Sequence, residues 1–372
     1  MKLRISTLIL TLGISTSAFT KEKVILAFNL HGVVGVTGQI VSKGAILALQ
    51  NMPTHIQTQY EVVTVDIGET LDSVKSALAT EIKKGRPLAI LGAVSSNQAF
   101  LINAVSLAEK IPFITPLATH PEVTKNNMYA FRTCFDDHLQ ASKLADFIHK
   151  DQKGNKGLVL YNEKQSYSIG VKNTFIESYK AFPKSKVESL KFNTVDDVRN
   201  MMTQIEKINP DFIILPSYQT EAANILSLLG EKFKNTKFYG TDSWGGGRLF
   251  HTILSDLPFL VEGFYVQHWS PDYPNSKNKL FLNLTKKDKF LSQYNTAAML
   301  APAAVGYDAL NFIIMAAQDS RTKKISLSES LKTINHEGVT GTINLKGTQT
   351  PSKALFIYKI TNKGESFYVS YP

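Results

Sequence analysis

From residue 23 onward, short apolar runs rich in β-branched residues alternate with stretches in which apolar positions recur every three or four residues. The first pattern predicts buried strands and the second amphipathic helices. In the opening third of the chain the spacing predicts strands at 24–28, 60–67, 87–91 and 112–115, with helices at 40–49, 71–83 and 98–110 between them. Strands separated by helices cannot pair as hairpins, so their sheet should be mostly parallel with right-handed crossovers. The rhythm restarts at residue 139. Helices are expected at 139–149, 170–180, 195–207 and 220–229, and strands at 157–161, 187–192, 212–215, 237–240 and 263–267. Two such series of similar size predict an α/β fold of two doubly wound, mostly parallel open-sheet lobes.

After Trp269 the pattern changes. Residues 270–279 are polar and hold Pro271 and Pro274, which reads as a loop, and 300–317 form a long apolar helical pattern with Pro302 in its first turn. Segments 341–345 and 355–361 read as antiparallel strands around a Lys346-Gly347 turn. Residues 1–20 are different again: Lys2 and Arg4, an apolar run from Ile5 to Ile14, then small residues through Ala18, the layout of a secretory signal. The run is far short of the ~20 residues that span a bilayer, so no direct membrane insertion is expected. With no cysteine nearby to carry a lipid, the expectation is a free periplasmic protein.

Composition narrows the chemistry. The length of 372 residues suits two domains, and 43% hydrophobic with 19% charged residues suits a globular chain. The one cysteine, Cys134, excludes an intrachain disulfide and reads as a small buried apolar residue. The eight histidines include no pair at helical spacing, so no metal site is expected. Cleavage of the signal would lower the net charge from +10 to +8. The basic residues are dispersed and accompany no RNA- or DNA-module signature, so nucleic acid is not an expected partner. Gly32, Gly35 and Gly38 do not make a dinucleotide turn, no serine sits in Gly-x-Ser-x-Gly, and Gly245-Gly246-Gly247-Arg248 lacks the lysine of a phosphate loop. Neither catalytic residues nor a cofactor are expected.

Ligands of open α/β sheets collect beyond the carboxyl ends of the strands, where loops meet helix N-termini. Ser95 and Ser96 follow the strand ending at 91, and Leu117 and Thr119 lie on a loop fixed by Pro116 and Pro121. In the second series Tyr167 stands at a helix start, Tyr218 follows the strand 212–215, and Asp242 and Trp244 follow 237–240. Each has a plainer reading, as a cap or a packing residue, but together they mark one side of each sheet.

The chain resembles the type I periplasmic binding proteins of the leucine/isoleucine/valine-binding family. The matching segments are Gly92-Ala93-Val94-Ser95-Ser96, Ile114-Thr115-Pro116-Leu117-Ala118-Thr119, Phe131-Arg132-Thr133, Gln165-Ser166-Tyr167-Ser168-Ile169-Gly170, Gly240-Thr241-Asp242-Ser243-Trp244, Gly306-Tyr307-Asp308-Ala309 and Val339-Thr340-Gly341-Thr342-Ile343, in family order. The resemblance implies two lobes joined by three hinge crossings, one of residues 21–135 with 268–350 and the other of 136–267 with 351–372. It implies that Ser95, the Thr119 hydroxyl and nearby N–H groups receive a ligand α-carboxylate, that Asp242 pairs with its α-ammonium, and that Tyr167 and Tyr218 wall the cleft. Leu117 and Trp244 complete the expected ligand set, with His31 a further candidate. Thr37 stands where the family often has an aromatic residue, His31-Gly32 where many have Ser-Gly, and Pro302 at a position that often lines the side-chain pocket. The implied function is capture of an amino acid or amino-acid-like ligand by a monomer and its delivery to the permease of an ABC transporter. The alternative is a sensor of the same fold that reports occupancy to a membrane receptor or a cell-wall enzyme.

Overall fold

The computed structural model describes residues 20–371 apart from 33, 154, 246 and 247, so residues 1–19 of the expected secretory signal and two glycines of the 245–247 run lie outside the described residues. Alternation along the strands sets the layers. In β1 (Glu22–Phe28), Val24, Leu26 and Phe28 enter one core while Ile25 and Ala27 enter the core on the opposite face, as expected of a parallel sheet covered on both sides. With β2 (Tyr60–Asp66), β3 (Ala89–Gly92), β4 (Phe113–Thr115) and β5 (Ala130–Arg132) it forms a parallel sheet of order β2-β1-β3-β4-β5.

The second sheet contains β6 (Lys156–Asn162), β7 (Lys186–Phe192), β8 (Phe212–Leu215), β9 (Lys237–Gly240) and β10 (Glu262–Gln267). A small hairpin, β11 (Asn335–Gly338) and β12 (Gly341–Asn344), stands apart, and β13 (Leu355–Thr361) and β14 (Gly364–Tyr371) return to the large sheet. Its order is β14-β13-β10-β9-β8-β6-β7, with parallel pairing throughout except that β13 runs antiparallel to both its neighbours. The chain therefore moves between the two layers three times: after Arg132, after Gln267, and between Asn344 and Leu355.

Several expected elements are corrected. Segments 341–345 and 355–361 are not partners: the first pairs with β11 and the second lies between β10 and β14. The polar stretch 270–279 is not all loop, because Asn275 accepts the Lys277 N–H (2.9 Å) and starts a helix, Ser276–Lys287, that buries Phe281. The helix expected at 195–207 breaks at Met201 into Val195–Asn200 and Met202–Ile208, and that expected at 139–149 runs from Asp137 to Asp146 before one turn of π-helix, Phe147–Asp151. Pro302 is not in a first turn, because Thr296 caps the helix earlier by accepting the Met299 N–H (3.3 Å), and the helix spans Ala297–Lys323.

That 27-residue helix is long and apolar enough to cross a membrane, yet 89% of its most apolar window is buried inside the protein. It packs on the helix Gly35–Gln50 at glycines. A Cβ on Gly44 would run into the Ala303 carbonyl, and one on Gly306 into that of Val41. Asp308 on the same helix accepts the Val339 N–H (2.8 Å) and both the N–H (2.7 Å) and hydroxyl (2.6 Å) of Thr340, which pins the β11–β12 hairpin to the first layer. At its other end the helix touches the second layer, where Glu365 of β14 accepts the Ala298 N–H (3.1 Å) and Ala298 joins that layer's core.

Candidate functional site

The carboxyl ends of both sheets face a common cleft with about 590 Å³ of space, part of it open solvent, within the range of small-molecule sites. One wall comes from the first layer and its long helix: Val34, Thr37, Val94, Ser96, Leu117 and Pro302. The other comes from the second layer, chiefly Tyr167, Tyr218, Gln219, Asp242, Gln267 and His268. The first wall is mainly aliphatic, while the second carries the one carboxylate among the described lining residues.

Asp242 follows β9 and opens a 3-10 turn, Asp242–Trp244. Its side chain is 8% exposed, and both oxygens are engaged. Oδ1 accepts the Tyr167 hydroxyl (2.7 Å) and Oδ2 lies 2.9 Å from His268 Nε2, which must carry the proton because an ionised carboxylate only accepts. The His268 ring stacks on Phe135, with centroids 4.1 Å apart. Tyr167 sits at the second position of the helix Ser166–Lys180 and stacks on Tyr218 at 5.6 Å. Burial, then the charges of Asp242 and Asp137, push both phenol pKa values upward, so the two tyrosines stay neutral donors.

Behind this group lies a second carboxyl. Asp137 is fully buried, accepts the Gln140 amide (2.6 Å), and has a second oxygen without a hydrogen bond. Burial first and the Asp242 charge second raise its pKa to about 8, with Thr119 and Gln140 acting in the opposite sense, so it holds its proton at neutral pH. Gln140 also accepts the Asp242 N–H at 3.3 Å and links the two acids.

The loop 116–120 is held from the first crossing between the layers. The guanidinium of Arg132, with no exposed surface, donates from Nε to the Ala118 carbonyl (3.0 Å) and from Nη2 to that of His120 (2.5 Å), and its backbone N–H donates to Gln349 on another crossing (2.9 Å). Among the described residues the layers meet across the cleft at three points. Asn97 Oδ1 accepts the N–H (3.2 Å) and hydroxyl (2.5 Å) of Ser166, Gln219 Nε2 lies 3.4 Å from Thr37 Oγ1, and the Tyr218 hydroxyl lies near Ser95 and the Ser96 backbone.

The expected ligand residues fall into three groups. Leu117, Tyr167, Tyr218 and Asp242 line the cleft together. Ser95 and Thr119 stand just outside that lining: Ser95 caps the helix Ser96–Glu109 through the Gln98 N–H (3.4 Å), while the buried Thr119 hydroxyl has no hydrogen bond of acceptable geometry despite its nearness to Asp137. Trp244 and His31 are corrected. The Trp244 ring lies over the bare Cα of Gly240, donates from Nε1 to the Leu215 carbonyl (2.9 Å) and joins the core of the second layer. His31 is 84% exposed and pairs with Asp66 on the outside. Cys134 is buried, which pushes its thiol up to about 12 and leaves it unreactive. Sequence reading missed Gln267, which ends a strand that it did predict, His268, which follows that strand, and Gln219, which follows Tyr218.

Residues 27–365 match the family model described as periplasmic binding protein. The Leu/Ile/Val-binding protein BraC3 of Rhizobium johnstonii is 25% identical over 263 residues, covering 66% of this chain and 71% of that one. A leucine binding protein of Thermotoga maritima superposes with a TM-score of 0.83 at 24% identity over 94% of this chain and 98% of that one. The branched-chain amino acid transporter substrate binding protein of Streptococcus pneumoniae, in complex with isoleucine, gives 0.78 at 22% over 94% and 99%. With two doubly wound layers closing on one cleft, and a family match over nearly all of the described chain, this protein belongs to the periplasmic binding proteins, among the relatives of the Leu/Ile/Val-binding proteins.

Proposed function

We propose that the protein captures a small zwitterionic amino acid, or a close analogue, outside the cytoplasm and passes it to the permease of an ABC transporter. The observation that carries this reading is the buried carboxylate of Asp242, oriented by Tyr167 and His268 at the edge of the cleft. A fixed anion in a desolvated place favours a ligand cation. Facing it are the first turn of the helix Ser96–Glu109 and the loop held by Arg132, where Ser96 lines the cleft and the Thr119 hydroxyl lacks a partner. Hydroxyl and N–H donors there suit an α-carboxylate.

The ligand binds one lobe first, and closure adds Asp242 and the two tyrosines. Contacts made only in the closed form drive the equilibrium toward it. The moving bodies are residues 21–135 with 268–350 and residues 136–267 with 351–372. The closed form is what the permease recognises, and family membership supports both that partner and the extracytoplasmic location.

Thermal-shift titration tests the reading. Amino acids should raise the melting temperature by mass action, while matched compounds that lack either the amine or the carboxylate should not. A carboxylate without an amine that stabilised the protein equally would remove the role given to Asp242.

A further inference from the structure

Two separate polar clusters border the cleft, and the reading above uses only the one around Asp242. The other consists of Thr37, Gln219, Gly245 and Gln267. Gln219 Nε2 donates to the Gly245 carbonyl and lies within reach of Thr37 across the cleft, while the Gln267 amide packs against Gly245. Gln267 Oε1 accepts the His268 N–H at 3.0 Å, which settles which end of that amide is oxygen and leaves Nε2 as a donor. Gln267 is 2% exposed, and its Nε2 is sealed from solvent without an acceptor. The Tyr265 hydroxyl oxygen, whose proton goes to Glu365 (2.5 Å), is the acceptor it faces, and the two stand outside bonding geometry.

This second cluster is uncharged. Among the described lining residues there is no lysine or arginine, so a second carboxylate on the ligand would find no counter-charge beside Asp242. A cationic side chain would find no second carboxylate there. Between the clusters, Val34, Val94, Leu117 and Pro302 offer an aliphatic surface suited to a short methylene stem. A buried donor without an acceptor favours a ligand that brings one.

We propose that the Thr37–Gln219–Gln267 cluster selects an amino acid whose short side chain ends in a neutral hydrogen-bond acceptor, a carboxamide or a hydroxyl, over one with a branched aliphatic side chain. This rests on the amino-acid reading of the cleft. The test compares near-isosteres by titration calorimetry on the purified protein: asparagine against leucine, and threonine against valine. The expected result is that asparagine and threonine each bind at least about tenfold more tightly than their aliphatic counterpart. Gln267→Met, which keeps length and removes both the donor and the acceptor of the His268 N–H, should cut that preference severalfold. Leucine or valine binding as tightly as its polar partner to the wild-type protein overturns the selection and leaves the amino-acid reading standing. Failure of all four to bind, with a ligand of another class raising the melting temperature, overturns both.

Discussion

Asp242 is oriented by a phenol on one oxygen and an imidazole on the other. Substituting Asp242→Asn keeps the shape and removes the charge, so amino-acid affinity should fall by about 2–5 kcal/mol in titration calorimetry, with the fold intact by circular dichroism. Unchanged affinity would take the residue out of the site. Asp242, Tyr167 and Tyr218 were legible because each follows a strand end or opens a helix, and the sheet places those positions at the cleft. Trp244 stands in the same kind of position and points away, since the turn Asp242–Trp244 swings its ring onto Gly240 and into the core. The direction of a side chain within a single turn of 3-10 helix was not contained in its spacing. Asp137 was invisible for another reason: as the first residue of a helix behind an N-cap aspartate it reads as an ordinary first-turn acid, and only the tertiary fold buries it beside Asp242.

Among elements, the helices Ser96–Glu109 and Ser166–Lys180 are the latch of the proposed closure, since Asn97 near the start of one accepts two bonds from Ser166 at the start of the other. Asn97→Ala removes both without touching the cleft lining. It should weaken ligand binding by roughly 1 kcal/mol, expressed as faster dissociation in stopped-flow measurements with association little changed. A slower association with unchanged dissociation would argue against a role in holding the closed form. Long helices and buried strands were readable from their periodicity, as 71–83 shows by matching Leu71–Lys83. The three-residue strand β5 was not, because so short a run leaves no period, whereas β4, of the same length, was read from its apolar Phe113-Ile114-Thr115 run. The helix Ser276–Lys287 was masked by its lysines and by the prolines before it, although Phe281 supplies the anchor that holds it to Trp269 and Tyr307.

For the whole molecule, Asp137 ties stability to pH. Its folded pKa of about 8 lies above the ordinary carboxyl value near 4, so the folded chain holds a proton that the unfolded chain has released between those limits. Stability from this group is complete below about pH 4 and declines as pH rises toward 8. The groups around it point both ways: the Asp242 charge raises its pKa, and Arg132, Thr119 and Gln140 lower it. Asp137→Asn removes the titration, so the variant should lose roughly 2–5 °C less in melting temperature than wild type between pH 5 and pH 8. Parallel melting curves for the two proteins across that range would show that the carboxyl ionises in the fold as it does in water. The bond between Glu365 and Ala298 bears on how the molecule opens. The first turn of the long helix is clasped by the last strand of the chain, while the rest of that rod is welded by Gly44 and Gly306 to the opposite body. On the lobe closure proposed above, that rod is the fulcrum, and the jaws should part most at the Asn97 side and least beside Ala298.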